Sequence, residues 1–432
     1  MHIFNLPINH RKKYLTNNEI YLITQRMSIY GITFILILIF IELFHLSIDF
    51  QNHTHINRLN LDELEDIYSI EELKKSLEYH NAKFFPSTLH SIVDIGMLAL
   101  LFYSGIIQRF DYFLYNHFND YLHAIFLFTG FSIFNYIVGL PFVIYDTFFI
   151  EKRFGFNKMT PLIFIRDTIL SSLIGFIFSS IVLSAIIFFI KSFTNTWVFV
   201  ASIFMVGFML FTTYIYPTLI APLFNKFTPL ENKELADKIF NLAKKANFPL
   251  KNILQMDASK RSTHSNAYFT GLGKNKRIVL FDTLLEKHSK SELLAILGHE
   301  IGHYKLGHIK KMLFLSCIFI VLGFTGIKLL IDNSFIYESL GFAKSIPSGI
   351  FVISILFSPI SFLLSPFLMK MSRKHEFEAD SFSYKLTEDK LSLKEALIKL
   401  HKDNLSFPYP HKLYVVFNYS HPPLTERIKN LL

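Results

Sequence analysis

Seven long apolar runs limit what this chain can fold into more than any other feature. They lie near Ser28 to Leu46, Ser87 to Ile107, Tyr121 to Ile150, Pro161 to Ile190, Thr196 to Phe224, Lys311 to Ile331 and Gly349 to Lys370. A helix needs about 20 apolar residues to cross the hydrocarbon core of a bilayer, and each run is close to that or longer. Hydrophobic residues make up 51% of the chain and Phe alone contributes 49, more apolar surface than a soluble fold of this size buries. In lipid every backbone amide must be satisfied within its own segment, so runs of this kind become helices. The chain therefore reads as a mainly α, polytopic membrane protein. The polar lead with Arg11, Lys12, Lys13 and Arg26 is too long for a cleavable signal and lacks a small-residue cleavage site. The first run is then a retained helix.

Composition also excludes several chemistries. The single cysteine, Cys317, lies inside an apolar run, which rules out an intramolecular disulfide framework and a cysteine-built metal site. The net charge of +9 comes without a stacking module or basic helix, so lipid headgroups account for it better than nucleic acid does. Glu42, Asp94, Arg166, Asp167 and Lys328 fall within the runs. Charges at that depth either face a water-filled space or neutralise one another in a packed bundle. The acidic stretch Asp62 to Glu78 reads as a solvated helix outside the membrane.

The longest polar section, from Asn225 to Lys310, starts with a helical stretch over Glu231 to Ala246. Two β-prone runs, around 262–270 and Arg277 to Phe281, flank a Gly-rich turn and predict a hairpin. The G-x-G of that turn is too short for a dinucleotide site. A hairpin edge can hold an extended peptide by main-chain pairing, and the same hairpin can pack against the helix that follows it.

That helix carries Leu297-Gly298-His299-Glu300-Ile301-Gly302-His303-Tyr304-Lys305-Leu306-Gly307-His308. It contains H-E-x-x-H, the spacing of zinc metallopeptidases. Residues four apart stack on one helical face, so the imidazoles of His299 and His303 aim at one point. Glu300 flanks that point and can take a proton from water there. His308 reads as a cap or surface residue. A catalytic zinc takes three protein ligands, so one more must come from elsewhere. The polar run Ser372-Arg-Lys-His-Glu376-Phe-Glu-Ala-Asp380 nominates Glu376 or Glu378, with Asp380 on the face of Glu376 as a hydrogen-bond acceptor for a ligand imidazole. Two runs separate the histidines from these carboxylates, and an even number of crossings returns the chain to the same side of the bilayer. Lys152, Arg153 and Lys158, in a short loop on that side, predict that it is cytoplasmic.

In these features the chain resembles the type I CAAX prenyl protease family of integral-membrane zinc metallopeptidases. The resemblance is carried by Ile150-Glu-Lys-Arg-Phe-Gly-Phe-Asn-Lys158, Pro217-Thr-Leu-Ile-Ala-Pro-Leu-Phe-Asn-Lys-Phe227, Ser262-Thr-His-Ser-Asn-Ala-Tyr-Phe269, Arg277-Ile-Val-Leu-Phe-Asp-Thr-Leu-Leu285, the extended motif, Glu376-Phe-Glu-Ala-Asp380 and Ser420-His-Pro-Pro-Leu-Thr-Glu-Arg427. It implies about seven transmembrane helices around a chamber, closed at one end by a zincin-like protease domain with a small sheet. It assigns the third ligand of a single Zn²⁺ to Glu376 and sets Asp380 behind the metal. His421 would stabilise the oxyanion, Arg427 would brace the carboxylates, and Asn266 and Ala267 would grip the substrate backbone.

The domain reading that follows has membrane helices over 1–224 with an extramembrane loop at 47–86, and a first catalytic part over 225–310. Two more membrane helices cover 311–370, and a second catalytic part covers 371–432. The expected activity is zinc-dependent hydrolysis that removes the C-terminal tripeptide of prenylated CAAX proteins. The rival within the same chemistry is a quality-control protease indifferent to prenylation, and outside it a transporter or scaffold with structural zinc. The expected partners are a prenylated protein C-terminus and the bilayer, with no nucleic acid, and the expected state is a monomer. Its membrane would be the endoplasmic reticulum in a eukaryote and the inner or plasma membrane in a bacterium.

Overall fold

In a computed structural model, the described residues are 27–64, 67–271, 276–333 and 335–431. The basic lead with Arg11, Lys12, Lys13 and Arg26 lies outside them, as do 272–275 of the hairpin turn. Among the described residues, seven helices are long and apolar enough to span a membrane: Ile29–Arg58, Ile70–Tyr103, Asp120–Arg153, Pro161–Ser192, Trp197–Phe224, His308–Ile331 and Ile346–Thr387. Each span touches the next in sequence, and the seventh returns to the first to close a ring while also packing against the third. At most 22% of any span's apolar window is buried within the chain. A solid bundle would bury much more, so the helices stand around an open interior, as expected.

The spans reach further than hydropathy predicts. Ser69 caps Ile70–Tyr103 through a reciprocal capping box with Glu72, and the helix then runs without a break into its apolar half. The acidic stretch is therefore not a separate solvated helix. Its start lies in a short 3₁₀ turn, Leu61–Glu63, and from Ile70 onward it is the projecting end of the second span. Ile56, Tyr68 and Leu73 in this region are buried against Leu393, Leu397 and Leu424 of the catalytic part. Burial of these apolar side chains at ~25 cal/mol/Å² explains why the polar connection folds back instead of remaining a loop.

Three of the charges within the spans have these partners. Asp167 pairs with Arg261 at 2.7 Å, Arg166 donates to the Leu223 carbonyl at 2.9 Å, and His90 lies 3.4 Å from Asp94.

Outside the ring sits a four-stranded sheet in the order β1-β2-β4-β3, formed by Phe227–Pro229, Leu250–Met256, Lys276–Phe281 and Ala267–Thr270 respectively. β3 and β4 form the expected antiparallel hairpin, with Ala267 opposite Leu280 and Thr270 opposite Arg277. β2 pairs with β4 in parallel. β3 is an edge strand.

The motif helix, Lys290–Lys305, starts at a second capping box, Ser289 with Glu292. Leu293, Ile296, Leu297 and Ile301 bury its other face against the sheet and Ile239. Its closest neighbour is the catalytic end of Ile346–Thr387, a 42-residue helix with Pro359 and Pro366 in its membrane half. Gly302 permits this approach, since a Cβ there would lie 3.2 Å from the Ala379 backbone. Gly302→Val is expected to lower the unfolding midpoint by overpacking this contact, at a cost of about 1–3 kcal/mol. A thermal melt of the detergent-solubilised protein with an unchanged midpoint would contradict that account.

Candidate functional site

The motif helix and the long helix bring their polar residues together at the mouth of the ring. His299 Nε2 lies 3.1 Å from His303 Nε2 and 3.4 Å from Glu376 Oε2, and His303 Nε2 lies 3.3 Å from Glu376 Oε1. A tetrahedral ion with bonds of about 2.0 Å has ligand–ligand edges of roughly 3.3 Å, so the three groups have the spacing of one metal's ligands.

Chemistry and charge agree with that spacing. With both imidazoles neutral, the carboxylates of Glu300, Glu376 and Asp380 oppose only the guanidinium of Arg427, leaving a deficit that a divalent cation would match. Glu376 Oε2 is buried, and although His421 Nδ1 approaches to 2.7 Å, no well-directed hydrogen bond from the described residues satisfies it. Buried carboxylate oxygens left in this way are costly unless an ion or donor serves them. Burial works to lower the pKa of His299, yet hydrogen bonds to Asp380 and Glu376 outweigh it and push the pKa up to about 9. Surroundings that favour a positive ring also favour a cation.

The supporting residues are ordered by helical geometry. Asp380, one turn beyond Glu376 and fully buried, contacts His299 Nδ1 at 2.7 Å through Oδ1. Arg427 from the helix Leu424–Leu431 donates Nε to Asp380 Oδ2 at 2.8 Å and Nη2 to Oδ1 at 2.5 Å. Such bidentate pairing fixes both orientation and charge. Glu378, the other nominee, points elsewhere. Two residues along a helix is about 200° of rotation, which carries it to His308 at 2.9 Å.

These groups line a cleft of about 330 Å³. Glu300 and His421 face into it, as do Asn266 and Ala267 on the β3 edge. Burial raises the Glu300 pKa against the opposing pull of His299 and His303. His421 is open to solvent, with 65% of its side chain exposed.

The sequence reading passed over one group at this site and misjudged another. Asn404 lines the cleft and its Oδ1 accepts from His264 Nδ1 at 2.5 Å; an isolated Asn far along the chain gave no sign of this. His308 is only 2% exposed, not a surface residue, and its Nδ1 lies 3.1 Å from His303 Nδ1. The signal available was Gly307, whose φ of 71° turns the chain between two helices and folds His308 back on the motif.

Residues 229–432 match peptidase family M48, and residues 51–226 match the family described as CAAX prenyl protease N-terminal, five membrane helices. The CAAX prenyl protease 1 homolog of Arabidopsis thaliana is 37% identical over 376 residues, covering 85% of this chain and 88% of that protein. The chain belongs to peptidase family M48. This M48 peptidase is also 38% identical over 340 residues to the CAAX prenyl protease 1 homolog of Homo sapiens, covering 69% of this chain and 71% of that one. The crystal structure of S. mikatae Ste24p superposes with a TM-score of 0.86 at 31% identity, over 92% of this chain and 99% of that one. The M48 peptidase is thus an integral-membrane metalloendopeptidase acting on protein substrates, as the sequence predicted.

Proposed function

We propose that this M48 peptidase is a zinc enzyme that removes the C-terminal tripeptide from prenylated CAAX proteins. The observation that carries the reading is the convergence of His299, His303 and Glu376, with Glu300 beside them and an unpaired strand edge along the same cleft. The names of the relatives support the substrate class.

In this reading His299, His303 and Glu376 hold one Zn²⁺. Zinc bound there would make water acidic and polarise the scissile carbonyl. Glu300 takes the proton of the attacking water and returns it to the leaving amine. Its burial keeps the carboxylate a better base than one in water. Asp380, itself held by Arg427, fixes the tautomer of His299 so that Nε2 presents its lone pair. His421 swings from Glu376 to donate to the oxyanion, a contribution of about 10²–10³ in rate for a single donor. At the β3 edge, the Ala267 N–H now donates to the Asn266 side chain at 2.8 Å. An extended substrate would replace that contact with its own carbonyl.

Every group in this scheme comes from one chain, which supports a monomer. The loop carrying Lys152, Arg153 and Lys158 joins the catalytic part through Lys158 N–H to Arg261 at 3.0 Å and Thr263 N–H to Phe156 at 3.1 Å. A short basic loop on this side supports a cytoplasmic active site. The membrane would then be the endoplasmic reticulum in a eukaryotic cell and the inner membrane in a bacterium.

The test is a paired assay of purified enzyme on a farnesylated CAAX peptide and its unprenylated twin. Release of the tripeptide should be at least about 10-fold more efficient with the lipid, since even a partly buried isoprenoid contributes several CH₂ equivalents at ~0.8 kcal/mol each. Equal cleavage of the two would support the quality-control reading instead.

A further inference from the structure

The tautomers at this centre are linked. If His299 and His303 each offer a metal the lone pair of Nε2, both rings carry their hydrogen on Nδ1. For His299 that hydrogen goes to Asp380. Among the described residues no carboxylate meets His303 Nδ1 in this way; His308 Nδ1 faces it at 3.1 Å. Two ring nitrogens facing each other can share only one hydrogen. His303 supplies it, so His308 Nδ1 accepts, and the hydrogen of His308 must sit on Nε2. There Glu378 Oε2 accepts it at 2.9 Å.

We infer that Glu378 and His308 are positioning residues that set the tautomer and aim of His303, as Asp380 does for His299. The inference rests on the metal-centre reading above. The arrangement is built into the fold: Gly307 turns the chain so that His308 opens the sixth span, and the His375 ring stacks on it at 4.1 Å and 10°. Glu378 lies outside the cleft with Lys374 3.8 Å away, and it meets the centre through its contact with His308. A carboxylate acting through an imidazole raises the basicity of the ligand beyond it.

The same three residues, His308, His375 and Glu378, are close enough to hold an ion of their own. Such an ion would need the lone pair of His308 Nε2, which puts the hydrogen of His308 on Nδ1. It would then collide with the Nδ1 hydrogen of His303. An ion at the second cluster and one at the first therefore oppose each other, whereas the chain from Glu378 to His303 gives every N–H an acceptor.

The experiment compares the full-length native enzyme with Glu378→Gln, His308→Leu and His375→Phe in detergent. It measures zinc per chain, zinc affinity against a competing chelator, the unfolding midpoint of the metal-stripped protein and the visible spectrum of the cobalt form. One zinc per native chain is expected. Glu378→Gln and His308→Leu should weaken zinc binding about 10–100-fold and shift the cobalt bands. The metal-stripped midpoint of Glu378→Gln should match native, which separates positioning from simple support of the fold. His375→Phe keeps the stacked ring and should keep native affinity. Native affinity in both Glu378→Gln and His308→Leu overturns the inference. So do two zinc ions per native chain with one lost in His375→Phe, in favour of a second ion. A native enzyme that binds no zinc would instead bring down the metal-centre reading on which this one stands.

Discussion

Glu300→Gln is expected to lose about 10²–10⁴ in the rate of cleavage while keeping its metal, because it removes a proton acceptor and almost nothing else. The amide has the volume of the carboxyl, sits at the same place on a capped and well-packed helix, and leaves the flanking His299 and His303 in position. What it cannot do is accept a proton from water and give it to the departing amine. Turnover of a CAAX peptide measured alongside metal content checks this directly. Near-native turnover in a fully loaded Glu300→Gln enzyme would falsify the role given to Glu300.

Glu376→Ala should reduce activity to background by a different route. His299 and His303 are adjacent turns of one helix and give a metal only two nitrogens; the third group arrives from a helix that has crossed the membrane. Loss of a residue behind a ligand already weakens metal binding about 10–100-fold, so loss of a ligand should exceed that. The variant should be purified with little or no zinc. Stripping the native enzyme with a chelator should give the same inactive state, and added zinc should restore the native enzyme but not Glu376→Ala. If Glu376→Ala holds zinc as tightly as native, the third ligand lies elsewhere.

The sequence made the fold legible because its strongest signals were physical and local. Apolar runs of sufficient length have few alternatives to spanning helices, and a Gly-rich turn between β-prone runs has few alternatives to a hairpin. The ends of the spans were harder to read. Ile56 and Leu73 continue the helices past the bilayer because, with Tyr68 between them, they find a second core, and hydropathy windows register lipid, not a distant protein partner. β1 and β2 were missed as strands because their pairing joins segments far apart in the chain.

At the site, a helical period of four was enough to associate His299 with His303 and Glu376 with Asp380. The choice between Glu376 and Glu378 needed the family resemblance, since spacing alone does not say which face of the long helix meets the motif. His308 was misread for a similar reason. Its position five residues after His303 does not fit one helix, and only the turn at Gly307 explains how the two rings meet.

The two prolines of the long helix bear on how steady the ligand set is. Pro359 and Pro366 each deprive a carbonyl four residues earlier of its amide partner, at Ile355 and Phe362, and both lie on the bilayer side of Glu376. The Ser365 hydroxyl donates to the Phe362 carbonyl at 2.8 Å and so compensates one of them. The rod is thus softest where it is surrounded by fluid lipid and stiffest where it carries Glu376 and Asp380. Bending forced by a thickening or thinning membrane would fall first on those joints, away from Glu376 and Asp380.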